Sequence, residues 1–245
     1  MSAIPVDVLR EILGHDVSKS DLVTLCKVNK IVCSCSQDVL YREIFCRDKH
    51  AIPTLVQSTD LARRVRSFKV SGDHPGLATA LRNMSSLRSL TLYGDYIFIL
   101  DGCNFKLDTF ETTFRNSKSL QQFLNSQPSL TDLTLWRDYD PFPPFDERCL
   151  PNLTRVRSTP SWLGVLIPGR PVREFNVLTH VKIDFIDRGF FTLSTTPIQK
   201  FQIDIDMLYP KPESLLVSIF PSIVHLIAQT CAMDWPVRVP LCLSI

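Results

Sequence analysis

The chain is poor in glycine. Only 8 occur in 245 residues, against 17 prolines. The glycine patterns that let backbone amides cradle phosphates are absent, with no Walker-type run, no dinucleotide fingerprint and no G-x-S-x-G nucleophile elbow. An excess of one charge is missing too. The 27 Lys and Arg are balanced by 25 Asp and Glu for a formal net charge of +2. Gross charge therefore gives no reason to expect nucleic acid or an acidic surface as the partner. Long apolar runs are also lacking. The nearest, "SLLVSIFPSIVHLIAQ" (214–229), is broken by Ser218, Pro221, Ser222 and His225. It falls short of the roughly 18 apolar residues that a membrane-spanning helix needs, so no membrane partner is expected. No basic stretch leads into an apolar one near the start, so no secretory signal is expected. Reduced thiols in cytoplasm or nucleus follow as the default. The sequons at Asn83 and Asn152 carry little weight without a secretory route.

Metal and catalytic chemistry find little support. The 8 cysteines have no regular spacing. Cys33 and Cys35, with Cys26, Cys46 and His50 nearby, invite a zinc reading, but residues two apart on a helix point about 200° away from each other. The spacing also misses the usual C-x2–4-C pairs, so packing of a small apolar side chain explains these cysteines better. Asp204 and Asp206 alternate along an expected strand, placing two carboxylates on one side roughly 7 Å apart. That separation suits paired catalytic acids, yet nothing else around them resembles an active site. The basic run "ARRVR" (62–66) reads as a solvated surface. No enzyme activity, cofactor or metal is expected.

What is present begins with two compact amphipathic segments. In "IPVDVLREIL" (4–13), Pro5 suits a first helical turn, and Ile4, Val8, Leu9, Ile12 and Leu13 recur at helical spacing, with Gly14 as a stop. Ser20 or Asp21 can cap a second segment in which Leu22, Leu25, Val28, Ile31 and Val32 recur in steps of three or four. A third short helix is expected to carry Val39, Leu40 and Ile44. About 45 residues in three small helices is near the lower limit for independent stability. Such a module should pack on the rest of the chain or be completed by a partner.

These residues, "IPVDVLREIL…DLVTLCKVNKIVCSCSQDVLYREI", resemble an F-box over roughly residues 3–46, and "VLYREI" is similar to the divergent fungal branch of that family. Ile4 stands where the family usually has Leu, and the aromatic often found after the Val-x-Lys/Arg step is absent. The resemblance implies docking onto the Skp-type adaptor of a cullin–RING (SCF-type) ubiquitin ligase. Carried over by position, the docking face comprises Ile4, Pro5, Val8, Leu9, Ile12, Leu13, Leu22, Leu25 and Val28.

Beyond residue 60 a short pattern, apolar-x-x-apolar-x-apolar, keeps returning. It reads "VRSFKV" (65–70), "LRSLTL" (87–92), "LDTFET" (107–112), "LTDLTL" (130–135), "LTRVRS" (153–158), "LTHVKI" (178–183) and "IQKFQI" (198–203), with a weaker "FPSIVHL" (220–226). Subtracting successive starts gives spacings of 22, 20, 23, 23, 25 and 20, within the window of leucine-rich repeats. The third and fifth copies end in Thr112 and Ser158 and are degenerate. Each copy should be a short strand with apolar residues inward, followed by a return. One repeat cannot bury its apolar face alone, whereas stacked neighbours share a core. "GLATALRNM" (76–84) and "SKSLQQFLNS" (117–126) read as helical returns, and "YDPFPPFDERCLPN" (139–152) reads as a loop.

The expected fold is α/β: a small helical F-box (1–48), a linker (49–64), a leucine-rich-repeat solenoid with a curved parallel sheet (65–228), and an irregular tail (229–245). That tail is apolar where a solenoid needs a polar cap, so a truncated array is one expectation and a sheltering segment the other. Polar strand positions should form a concave face for a target protein, with Tyr93, Asp132, Trp136, Arg155, Arg157, Lys182, Gln202, Asp204 and Asp206 as candidate contacts. Tyr93 and Trp136 are the expected anchors, although Trp136 also reads as a core residue beneath the 139–145 loop. Three functions compete: a target-recruiting ligase subunit, a repeat scaffold with no ligase connection, and a metal or carboxylate enzyme.

Overall fold

The structure, a computed structural model, describes residues 4–15, 17–46, 51–94, 97–115, 117–137, 146, 148–178, 193–204 and 225–229. The chain is α/β and forms two compact units. The first comprises residues 1–92 and 98–107, the second 93–97 and 108–245.

The first unit opens with three helices, α1 (Val6–Gly14), α2 (Lys19–Leu25) and α3 (Lys30–Leu40). Pro5 occupies the N-cap position of α1. The cap of α2 is Ser18, two residues earlier than expected, whose hydroxyl accepts from the Asp21 amide. The second apolar segment is not one helix. Asn29 accepts from the Val32 amide at 2.9 Å and starts α3 after a turn, because a short polar side chain satisfies an otherwise orphaned amide.

The expected third helix through Ile44 is instead strand β1 (Glu43–Cys46), which pairs in parallel with β2 (Ser67–Ser71). "YREIFC" (41–46) is thus a copy of the repeat pattern inside the stretch assigned to the helical module. The expected linker is also structured, carrying α4 (Ala51–Gln57) and α5 (Thr59–Arg64). Next come α6 (Leu77–Asn83) and β3 (Ser89–Tyr93). Strands β1, β2 and β3 lie in that order. Gly76 opens α6 at φ 83°, where a Cβ would stand 3.1 Å from Val56 Cγ2.

The second unit carries β4 (Thr109–Thr112), α7 (Lys118–Asn125), β5 (Asp132–Leu135), β6 (Arg155–Ser158), α8 (Pro160–Leu166), β7 (Glu174–Val177), β8 (Lys200–Asp204) and β9 (His225–Gln229). Strands β4 to β9 pair successively and in parallel. The strand expected at 178–183 lies earlier. "VREFNV" (172–177) fits the same pattern, and Arg155 pairs with Glu174; residues 179–192 lie outside the described residues. The final strand starts at His225, late in the expected 220–226 copy.

The pattern's three apolar positions are its inner face. The first (Val65, Leu87, Leu107, Leu130, Leu153, Val172, Ile198) and the fourth (Phe68, Leu90, Phe110, Leu133, Val156, Phe175, Phe201) are all buried. The sixth (Val70, Leu92, Thr112, Leu135, Ser158, Val177) is buried even where degenerate, and the hydroxyls there are satisfied. Ser158 Oγ donates to the Leu135 carbonyl at 3.0 Å, and Thr112 Oγ1 accepts from the Phe114 amide at 3.1 Å.

The carbonyl of the second position accepts two amides from the next copy. Arg42 receives Arg66 and Ser67, and Arg66 receives Arg88 and Ser89. In the second unit Asp108 receives Thr131 and Asp132, Thr131 receives Thr154 and Arg155, Thr154 receives Arg173 and Glu174, and Arg173 receives Gln199 and Lys200.

The return after α8 is fixed by Arg170, which is fully buried. Its guanidinium donates to the carbonyls of Cys149 (2.8 Å), Val165 (2.8 Å), Pro168 (2.9 Å) and Asp146 (2.8 Å). Arg170→Met would strand these acceptors. A loss of about 3 kcal/mol is expected, read as a lower urea midpoint at unchanged slope.

Candidate protein-interaction surfaces

Two surfaces, one in each unit, collect the residues singled out from sequence. The first is the helical head, α1–α3. Its own small core consists of buried Leu13, Leu22 and Cys35, with Leu9, Val17, Leu25, Val39 and Leu40 packed against them. The nine expected docking residues therefore divide. Leu13 and Leu22 are core, and Leu9 and Leu25 support it. Ile4 (62% exposed), Val8, Ile12 (52%) and Val28 (61%) face outward, as does Ile31 (59%); Pro5 is exposed as well. Val8 and Ile12 are four residues apart and share one face of α1, and Ile4 lies just before the helix.

The head is held by ion pairs as well as apolar contact. Asp38 on α3 accepts from Arg10 Nε of α1 at 2.9 Å and from Arg64 of α5. Arg64 also reaches Asp60 at 3.0 Å and the Ser34 carbonyl at 2.9 Å. The basic run 62–66 is thus not simply solvated. Ala62 and Val65 are buried, and Arg64 is committed to α3. A cleft of about 710 Å³ lies between the head and the first strands, with Leu22 and Leu40 on one wall and Phe45 and Lys69 on the other. None of the exposed apolar residues just named lines it.

The second surface is the polar face of β4–β8. Parallel register aligns its side chains in rows. One row runs Thr109, Asp132, Arg155, Glu174, Lys200; the next runs Glu111, Thr134, Arg157, Asn176, Gln202. Opposite charges meet across strands in the first row. Arg155 Nη2 lies 3.0 Å from Asp132 Oδ2, and Lys200 Nζ lies 3.7 Å from Glu174 Oε2. In the second row Glu111 Oε1 accepts from Tyr93 Oη at 2.6 Å and from Trp136 Nε1 at 2.8 Å. Trp136 is 44% exposed, so it belongs to the surface and not to a core beneath the following loop.

Of the expected contacts, Tyr93, Asp132, Trp136, Arg155, Arg157 and Gln202 come together on this face. Asp132 is nearly buried beneath Arg155. Asp204 ends β8, its backbone in register with Gln229; Lys182 and Asp206 lie outside the described residues. Glu111, Glu174 and Asn176 belong to the face and were not expected. Glu111 occupies the fifth position of "LDTFET", equivalent to Thr134 and Arg157, so the repeat pattern itself could have found it.

Three of the described thiols are pushed toward the protonated form. Burial pushes the Cys103 thiol up to about 11, against the pull of Arg82 and with a further push from Asp101. Burial also raises Cys26 and Cys149, and a protonated thiol is a poor nucleophile. Cys33 and Cys35 both lie on α3, with Cys35 in the head core. Among the described residues no group of three or more His, Cys, Asp or Glu could hold a metal ion. No helix among them is long and apolar enough to cross a membrane.

Tyr93 gives the strand face a titration signature. Burial, then the hydrogen bond to Glu111 and that carboxylate's charge, push its hydroxyl up to about 12. The folded value exceeds the unfolded one, so the contribution to stability is complete below about pH 10 and is lost as pH rises through 12. An alkaline absorbance titration should show one tyrosine ionising late, and Glu111→Gln should bring it earlier. Comparison with known proteins gave no match, either to a family model or to a curated sequence.

Proposed function

We propose that the chain is the target-recruiting subunit of a cullin–RING ubiquitin ligase, acting in cytoplasm or nucleus. In this reading α1–α3 form an F-box that docks on a Skp-type adaptor and through it on a cullin, and the repeats are leucine-rich repeats that hold a target protein. The observation that carries it is the outward apolar set Ile4, Val8, Ile12, Val28 and Ile31, on a helical head whose own core is already filled by Leu13, Leu22 and Cys35. Several large apolar side chains turned to water on one small module are the mark of an interaction site.

The chain would contribute proximity and orientation. Holding a target near the charged ubiquitin-conjugating enzyme raises effective concentration and needs no bond-making residue on this chain. Adaptor docking through the head leaves the polar face of β4–β8 to supply specificity.

Co-purification of the full-length chain with a Skp-type adaptor tests the proposal. Ile12→Asp with Val28→Asp should weaken binding at least about a hundredfold, since burying each side chain contributes about 1.5–3 kcal/mol. Both residues are exposed, so the thermal unfolding midpoint should not move. Leu9 and Leu25 are unsuitable for this purpose because they support the head core. A folded wild-type chain that does not bind the adaptor would leave a repeat scaffold without a ligase role.

A further inference from the structure

The polar face of the second unit has one cation without an ion-pair partner among the described residues. Among the described residues its two rows carry Glu111, Asp132 and Glu174 against Arg155, Arg157 and Lys200. Arg155 is held by Asp132 and Lys200 by Glu174. The Oε1 atom of Glu111 is taken by Tyr93 and Trp136. Arg157 is exposed, sits between neutral Thr134 and Asn176 in its row, and has no ion pair or side-chain hydrogen bond among the described residues. It borders an open hollow of about 40 Å³, lined also by Arg155, Glu174, Phe175, Asn176, Lys200 and Gln202.

We propose that Arg157 receives one carboxylate, the Asp or Glu side chain of an extended partner segment, while an apolar side chain of the same segment packs on Trp136. A guanidinium presents a fixed fork of donors that fits a carboxylate bidentately. Arg and Trp are also the residue types in which interface energy concentrates. The choice between carboxylate and phosphate follows from charge. Glu174 is a diagonal cross-strand neighbour of Arg157, at about 7–8 Å, and Glu111 lies two strands away, at about 10 Å. Arg155 and Lys200 also line the hollow, but each is held by a carboxylate, so Arg155, Arg157 and Lys200 against Asp132 and Glu174 leave a single positive charge. A monoanion balances it, whereas a phosphate would bring close to two negative charges. The inference rests on the polar face being the target surface and refines that reading by naming what it recognises.

The test uses the full-length chain and twelve-residue peptides selected by display against it, with affinities measured by fluorescence anisotropy. Selected peptides should carry Asp or Glu beside an apolar residue. Arg157→Gln should weaken them roughly ten- to a hundredfold, and Arg157→Lys should weaken them less. Changing the peptide's Glu to Gln should cost a similar factor on the wild type and almost nothing on Arg157→Gln, the coupling expected of a direct pair. Arg157 has no partner to lose among the described residues, so the urea midpoint of Arg157→Gln should match wild type. Failure to select any peptide, binding indifferent to Arg157→Gln, or tighter binding when phosphoserine replaces Glu would each overturn the proposal. Adaptor binding measured on the same protein succeeds or fails independently of this cycle, so the two readings fall separately.

Discussion

Within each unit, the second-position carbonyl that accepts two amides from the next copy is the constraint on which the rest depends. It recurs from Arg42 to Arg66 in the first unit and at Asp108, Thr131, Thr154 and Arg173 in the second. With this start set, parallel pairing has no freedom to slip. A slip of one residue would turn every inward Leu or Phe outward. The return segments vary because nothing in the staple depends on their length, only on their ends reaching the same carbonyl.

From that register follow both the core and the chemistry of the surface. Apolar side chains from successive copies stack into a shared interior, so a weak copy is tolerated where its neighbours are strong. Thr112 and Ser158 illustrate this, each sitting inward with its hydroxyl hydrogen-bonded. The same register lines up the alternate residues across strands, bringing Asp132 beside Arg155 and Glu174 beside Lys200. The Glu174–Lys200 pair, half-exposed on both sides, contributes little to stability. Together the two pairs neutralise most of the face and leave Arg157 as its distinctive feature. The head obeys a different rule. Its three short helices fill their own core and leave a row of apolar residues in water, which suits a module completed by a partner.

Much of this was legible in the sequence, and the failures have physical causes. The inward residues of "VRSFKV", "LRSLTL" and "LTDLTL" stand where the pattern puts them. "YREIFC" was missed because Val39, Leu40 and Ile44 also fit a helical spacing, and a short apolar run cannot distinguish the two. "VREFNV" and "LTHVKI" satisfy the same pattern in adjacent places. Only stacking against Arg155 selects Glu174 as the partner, and stacking is a property of the neighbours. The buried Arg170 could not be foreseen, since arginine reads as surface until four carbonyls converge on it. The expected docking face was read as one stripe, but helix packing divides it. Leu9, Leu13, Leu22 and Leu25 turn inward, and Ile4, Val8, Ile12 and Val28 turn out.

Hydrogen–deuterium exchange of the full-length chain, alone and with a purified Skp-type adaptor, tests most directly whether that outward set is a handle. Slower exchange in Val6–Gly14 and Lys30–Leu40, with the strands from Asp132 to Val177 unchanged, is the expected result. Exchange in the helices that ignores the adaptor, or protection that appears on those strands instead, would contradict it.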